Sequence, residues 1–517
     1  MKNIYWSDFH TNVHSKHIDD LDSWYDFAKD MLDFWAPVYY PYFVKTNEKG
    51  FHYEDTHSPE KHQNDWERLR KFCKGKDDDF ILYMGYEWQG DGRDGDHNVF
   101  YKDLEGDMKM PLKYKELCDE LTPKDSIAIP HHPGYKSGHR GKNWDTHNES
   151  ISPVVEIYSS HGSSEASDSN IPLNVHIHMG PRSEEGTVLY ALKKGIKVGI
   201  IASGDNHVCP AISGNGFMAV ISDEYNRESL FNAILNRHTY GVSRSRILLD
   251  YRINNEIMGS EITAEENNIV DINVIGSSAI DRIEIIRNGT PEKTFVHNGK
   301  WEEKKLKDVV RFKFELELGW GPDRRVFPDI KEKLWNVSLE TKGKILNIEK
   351  LWTSPGSKIK VNEEKKFKAE IITRKSIQGD AKLSQKNYLT PYIQNQSIIF
   401  EIEDHIDNSL MFNIDGKEYN VSIRKLLNQS ILEAQEDKVH KLLKDRFDFD
   451  KYYREDPWWH NAYKFLLHKA SPLDAYRVNY KYEFKNLKSK EDNIFIKVIQ
   501  KNGDIAWSSP IWIKSPF

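Results

Sequence analysis

Cysteine is scarce in this chain: Cys73, Cys118 and Cys209 are three among 517 residues, far apart and without a CxxC pair. That spacing excludes a disulfide framework and a thiolate zinc site, and it suits a reducing compartment. Long apolar runs are missing too, so no membrane-spanning helix is expected. The opening MKNIYWSDFH turns polar at once, without the charged-then-apolar pattern of an export signal, and the expected location is the cytoplasm. No sign of charge dominates: 73 basic against 80 acidic residues, net −7 and dispersed, leave no basic face for nucleic acid as a bulk ligand. Abundance lies elsewhere, in 21 His and 14 Trp. Imidazole is a common metal ligand, so the positions of those histidines matter.

The length implies two or three domains, and 38% hydrophobic residues are ample for their cores. Up to residue 246, short apolar runs alternate with helical patterns, the signature of a parallel βα sheet or barrel. In DDLDSWYDFAKDMLDF, Leu21, Trp24, Ala28, Met31 and Leu32 keep a helical period. NDWERLRKFC, LKYKELCDEL, EEGTVLYALKKG and RESLFNAILNR predict further helices. From 247 to 517 the texture changes to alternating strands with hairpin signals at Asn288-Gly289, Asn298-Gly299, Asp415-Gly416 and Asn502-Gly503. This predicts a β-sandwich-like C-terminal region of one or two domains, with a helical insert near 432–470.

Chemistry gathers at the ends of the predicted strands. NIYWSDFH runs into Asp8 and His10, FILYMGYE into Glu87, SIAIPHH into His131 and His132, VVEIYSSH carries Glu156 and ends at His161, and GIIASGDNH ends at Asp205 and His207. One such ending is an ordinary cap or turn. Five at the same place in their own period converge if the strands share a barrel, whose C-terminal ends open on one face. DGDHNVFY adds His97 before another apolar run. A His, Asp and Glu set without Cys suits Zn, Mn or Fe, and such an ion makes hydroxide from bound water near neutral pH.

Asp8-Phe9-His10, the Glu after a strand, His97 heading an apolar strand, IPHHPG and Asp205-Asn206-His207 together resemble the PHP superfamily, named for polymerase and histidinol phosphatase. HHPGYKSGHRGKNWD, SPVVEIYSSHGSSE, MGPRSEEGT and GDIAWSSPIW are similar to a domain-of-unknown-function branch of it with a β-rich C-terminal region. The resemblance implies an α/β fold, a distorted (β/α)7 barrel over 1–246, and metal ions at its strand ends. It implies Glu87 as a bridging carboxylate with His97 and His132 on one ion, and His10 and Asp205 on a neighbour. Two positions depart from the pattern: Asn12 stands for the second His of the opening His-x-His motif, and Tyr39-Tyr40 for a later Asp-His. Asn12 retains an oxygen to offer, Tyr40 is a poor ligand, and one or two ions are therefore expected. His207 is then a ligand or a proton donor. His176 and His178 in NVHIHMGPR read as structural or substrate-facing.

Basic residues fall in the loops expected around the metals: Lys136, His139, Arg140 and Lys142, then Arg182, then Arg244 and Arg246. Arg140, Lys142 and Arg182 are the expected substrate contacts, and an arginine can engage two oxygens of a phosphate at once. Trp144 and Trp458-Trp459-His460 read as domain-interface residues. The function expected is a metal-dependent hydrolase of a small anionic ester, a phosphoester first, with sulfate esters and carbamates or amides as alternatives. His161 or His207 would protonate the leaving oxygen, and His131 would touch the substrate. A non-catalytic metal- or glycan-binding scaffold is the alternative of another class, and a homo-oligomer is left open.

Overall fold

The computed structural model describes residues 3–50, 52–76, 80–173, 179, 181–319, 329–330, 332–374, 395–448 and 463–516. The fold is mixed α/β and strand-rich. Nine strands of the N-terminal region matter for the site: β1 (Asn3–His14), β2 (Phe34–Tyr40), β3 (Met84–Trp88), β4 (His97–Tyr101), β5 (Ser126–Pro130), β6 (Val154–Ser159), β7 (Gly199–Ala202), β8 (Phe217–Ser222) and β9 (Thr239–Val242). Helices α1 (Leu21–Met31), α2 (Pro59–Lys76), α3 (Tyr114–Glu120), α4 (Val188–Lys193) and α5 (Arg227–Leu235) lie where the apolar periodicity places them. In α1 the periodic residues Leu21, Trp24, Ala28 and Met31 are all buried. Among the described residues no helix is long and apolar enough to cross a membrane.

The expected parallel arrangement needs correction. Strands run in the order β9-β8-β1-β2-β3-β4-β5 within one large sheet, while β6 and β7 pair in a separate sheet. The pairs β1/β2, β2/β3 and β6/β7 are parallel, but β4 is antiparallel to both neighbours and β8 to both of its own. Loop 89–96 explains β4, because a parallel crossover needs a dozen or more residues. Among the described residues the two sheets do not join into one closed ring. They share a core instead: Phe9, Phe34, Phe100, Ile129, Val154, Ile201 and Val220 pack with Phe231 of α5. Each such fully buried side chain contributes about 1.5–3 kcal/mol.

Beyond residue 246 the described strands pair antiparallel except Glu261–Thr263, which runs parallel to Ile511–Lys514. A six-stranded and a five-stranded sheet face each other between Val309 and Pro472, with Phe367 on Phe400 at 5.0 Å and Tyr419 on Phe465 at 5.0 Å between them. Among the described residues the helical insert holds the helix Glu436–Phe447, between paired strands Ile431–Gln435 and Tyr463–Leu467. Asn288 and Gly289 (φ 53° and 66°) and Asp415 and Gly416 (φ 55° and 87°) adopt the left-handed backbone of two-residue hairpins. Asn298-Gly299 does not turn between paired strands; it bonds back to the carbonyls of Asp281 and Ile280. The last strands return to the N-terminal region: Ile505–Ser508 pairs with β9, so one 13-stranded sheet runs through both regions.

Candidate metal centre

Side-chain alternation builds the site. Val154 faces the shared core, and Glu156 two residues on faces the same way one step nearer the strand end. The same step leads from Ile129 to His131, from Tyr83 through Gly85 to Glu87, and from Ile201 through Ser203 to Asp205. In β1 the register with β2 shifts between Asp8 and Thr11, a bulge that re-aims His10. Beyond it, Asn12 N donates to Asn206 O at 2.7 Å, and Asn206 N to His10 O at 3.3 Å. This ties the Asp205 turn to the end of β1. Because β4 is reversed, its start meets the end of its neighbours, His97 opposite Trp88 and Pro130, and Asp96 arrives at the same rim.

His10 is the hub. Its Nδ1 lies 2.9 Å from Glu156 Oε2, and its Nε2 lies 3.3 Å from Asp205 Oδ1 and 3.6 Å from Glu87 Oε2. Asn12 Nδ2 donates to Asp205 Oδ1 at 3.1 Å, and Gln89 Nε2 to Glu87 Oε1 at 2.8 Å. His131 Nε2 is 3.8 Å from Glu87 Oε1, and His132 Nε2 is 3.5 Å from Asp96 Oδ2. His161 Nε2 approaches Asp205 Oδ2 at 3.2 Å, with the Tyr135 hydroxyl 3.0 Å from its Nδ1. Four overlapping groups therefore present ligand atoms within 4.8 Å of one another: His10-Glu87-His131, Asp96-His131-His132, His132-His161-Asp205 and His10-Glu156-Asp205.

Backbone strain marks the same place. His132 (φ 32°), Arg140 (φ 68°) and Asp205 (φ 48°) occupy the left-handed region that residues with a Cβ avoid. Such conformations persist where the surroundings impose them, typically at functional sites.

The electrostatics ask for added positive charge. Burial pushes Glu156 upward against the pull of His10, and burial does the same to Asp205, with Glu156 and Glu87 adding to the rise. Burial lowers His10, but Asp205 and Glu156 outweigh it and hold its imidazole well above the usual range. His131 and His132 go well down, first by burial and then by neighbouring imidazoles. Neutral imidazoles beside crowded carboxylates are the state in which both bind a cation. Asn12 Oδ1, His131 Nδ1 and His132 Nδ1 are buried without a hydrogen-bond partner. The residues present thus fit a divalent ion with nitrogen and oxygen ligands.

Other expected site residues stand apart from these four groups. His97 Nδ1 donates to Gly95 O at 2.9 Å, its Nε2 faces Lys142 Nζ at 3.3 Å, and its ring stacks on Tyr114 at 4.5 Å. Lys142 is itself fully buried, 3.9 Å over the Tyr114 ring, so its amine serves the interior and not a loop surface. Arg182 gives its guanidinium to the backbone carbonyls of Ser163, Ser167, Ser169 and Ile171. Arg244 pairs with Glu315 of the C-terminal region, and Arg246 bonds Met31 O and Glu349. His207 lies 2.8 Å from His14 Nε2, 3.3 Å from Asn12 Nδ2 and 3.6 Å from Asp205 Oδ1, beside Tyr40. Arg140 does reach the site, where it engages Asp96. His176, His178 and Trp458-Trp459-His460 lie outside the described residues, and Trp144 is buried with its indole bonded to Gly186 O.

Three carboxylates have a larger part than sequence reasoning assigned them. Glu156 orients His10, and its place two residues beyond an apolar strand residue was the available signal. Asp96 sits beside the more conspicuous His97 in DGDHN. Asp8, buried in β1, accepts Gly204 N at 2.8 Å, Ala211 N at 2.9 Å and Thr11 Oγ1 at 3.0 Å, and so staples the Asp205 loop.

Fold and site together define a buried imidazole–carboxylate centre on a mixed α/β scaffold. No family model matches the chain. Part of it is similar to uncharacterised proteins of Chlamydia pneumoniae (29% identity over 262 residues, 46% of this chain and 41% of that protein) and Chlamydia trachomatis serovar D (31% over 228 residues, 40% and 36%). A Chlamydia muridarum protein matches at 30% over 228 residues, again 40% of this chain and 36% of the relative. The chain thus matches over about two fifths of the length of these relatives. Among solved structures, a two-domain Bacteroides vulgatus protein containing a predicted PHP-like metal-dependent phosphoesterase is similar at 11% identity and a TM-score of 0.31, over 81% of this chain and 95% of that one.

Proposed function

We propose that the chain is a metal-dependent hydrolase of small anionic esters, phosphoesters first. The observation that carries this reading is the His10-Glu156-Asp205 group with Glu87 and His131 against it. His10, Glu87, Asp96, His132 and Asp205 are the residues that would hold one or two divalent ions, with His131 and His161 beside them for substrate and proton. An ion bound there supplies a Lewis acid that acidifies water and stabilises charge on a phosphoryl oxygen.

The chain's own residues do the rest. Glu156 accepts the Nδ1 proton of His10 and fixes the ring so that Nε2 faces Glu87 and Asp205, where a bound ion would take the place of the Nε2 proton. Gln89 holds Glu87 in its orientation. His161 Nε2 lies 3.2 Å from Asp205 Oδ2, and its Nδ1 faces the Tyr135 hydroxyl at 3.0 Å. His161, and His207 at 39% side-chain exposure, are the groups that would hand a proton to a leaving oxygen, because both meet Asp205 at the accessible edge. His131 would contact the substrate. The phosphoester preference comes from the motif resemblance.

The test is metal analysis of the full chain beside Asp205→Ala, followed by phosphate-, sulfate-ester and carbamate panels on both. The expected result is Zn, Mn or Fe in the wild type, with metal and turnover lost together in the variant. A wild type that takes up no metal and stays inactive after reconstitution overturns the reading.

A further inference from the structure

We infer that Arg140 is a resident cation of this site, filling the Glu87–Asp96 side so that a divalent ion is held tightly only on the Glu156–Asp205 side. The inference rests on the metal-binding reading above. Both Nε and one terminal nitrogen of Arg140 reach Asp96 Oδ2, at 2.7 and 2.6 Å, and that terminal nitrogen lies 3.7 Å from Glu87 Oε1. Asp96 is completely buried and Glu87 nearly so, and a guanidinium, which keeps its charge at every physiological pH, is placed between them. Two of the four ligand groups draw a carboxylate from this pair, and the other two draw theirs from Glu156 and Asp205.

The loop that delivers the guanidinium is anchored. Arg140 N donates to Gly92 O at 3.0 Å, and Lys142 N to Pro133 O at 3.0 Å. Between them Gly141 presses so closely on the chain that a Cβ there would lie 1.8 Å from Tyr135 O. Arg140 itself holds a left-handed φ of 68°. A strained residue on a loop tied at both sides brings its charge to one place, so the arginine is built into the carboxylate cluster and not swept across it. A dication entering the same carboxylates would meet that positive charge at contact distance, in surroundings that screen it poorly. The site is thus asymmetric: a fixed organic cation on one side, an exchangeable metal on the other.

The experiment is titration of the metal-stripped full-length protein with Zn²⁺ and with Mn²⁺ against a competing chelator, for wild type, Arg140→Gln and Arg140→Lys, with circular dichroism as the check on folding. Wild type is expected to hold one tight equivalent. Removing the charge in Arg140→Gln is expected to tighten a second equivalent at least about tenfold, whereas Arg140→Lys, which keeps the charge, stays at one. Two equally tight equivalents in the wild type overturn the inference even if the glutamine variant fails to fold. So does an Arg140→Gln protein that folds and binds as the wild type does, or a lysine variant that gains the second ion. Absence of binding in all three proteins overturns the metal reading itself and this inference with it.

Discussion

Lys142 carries an amine into the protein interior, where burial lowers its pKa from 10.5 to about 7. The His97 lone pair and the Tyr114 ring soften that cost without removing it. Between pH 7 and 10.5 the unfolded chain binds the proton and the folded chain does not, so stability rises with pH across that window and is flat below it. At about 1.4 kcal/mol per pH unit, the buried amine costs on the order of 4 kcal/mol at neutral pH. Lys142→Met is therefore expected to be more stable than the wild type at pH 7 and to lose the rise toward pH 10. Urea denaturation at pH 7, 8.5 and 10 measures both; a variant less stable at pH 7 refutes the account. From sequence, Lys142 read as a loop cation because its neighbours Lys136, His139 and Arg140 are loop residues. Its burial comes from packing against α3 and β4, elements distant in the chain.

At the scale of elements, the turn after β7 decides how Asp205 enters the site. Gly204 passes so near its neighbours that an added Cβ would stand 2.1 Å from Asn206 Nδ2 and 2.8 Å from Asp8 Oδ2. Asp8 binds both ends of this turn, through Gly204 N and Ala211 N, so displacement of one moves the other. Gly204→Ala is expected to lower stability by about 1–3 kcal/mol and to weaken metal binding at least about tenfold. Thermal unfolding and metal titration report the two effects separately, and unaltered metal affinity would show that the staple does not position Asp205. The strand ends themselves were legible, since apolar residues give way to Glu156, His131 and Asp205 two or four positions along one face. The direction of β4 was not, because period-two patterning is identical for parallel and antiparallel strands.

Across the whole molecule, the C-terminal strands complete the N-terminal sheet. Ile505–Ser508 covers the edge of β9, and Ser509 Oγ accepts Ile200 N at 2.8 Å. Trp507 stacks on Tyr158 and donates to Glu165 at 3.0 Å, and Lys497 pairs with the same buried carboxylate at 2.7 Å. Glu165 lies four residues from His161, so the C-terminal region braces the loop that carries it. A chain cut after Arg246 would leave β9 as an open edge and Glu165 as an unpaired buried charge. We expect that fragment to aggregate or lose its fixed tertiary packing. Size-exclusion chromatography and near-ultraviolet circular dichroism would decide, and a monomeric, fully packed fragment would refute this dependence.

The sequence by itself determined the elements and the chemical inventory: helix positions from period 3.6, strand ends from apolar runs, and a nitrogen-and-oxygen donor set from His, Asp and Glu without cysteine. These are local properties, written within a few residues. Only the tertiary structure decided which donors meet, that Glu156 holds His10, that Arg140 lies between Asp96 and Glu87, and that Ile505–Ser508 extends the N-terminal sheet at β9. Such contacts join positions 44 to more than 300 residues apart, and they depend on strand direction and packing, which no local pattern encodes.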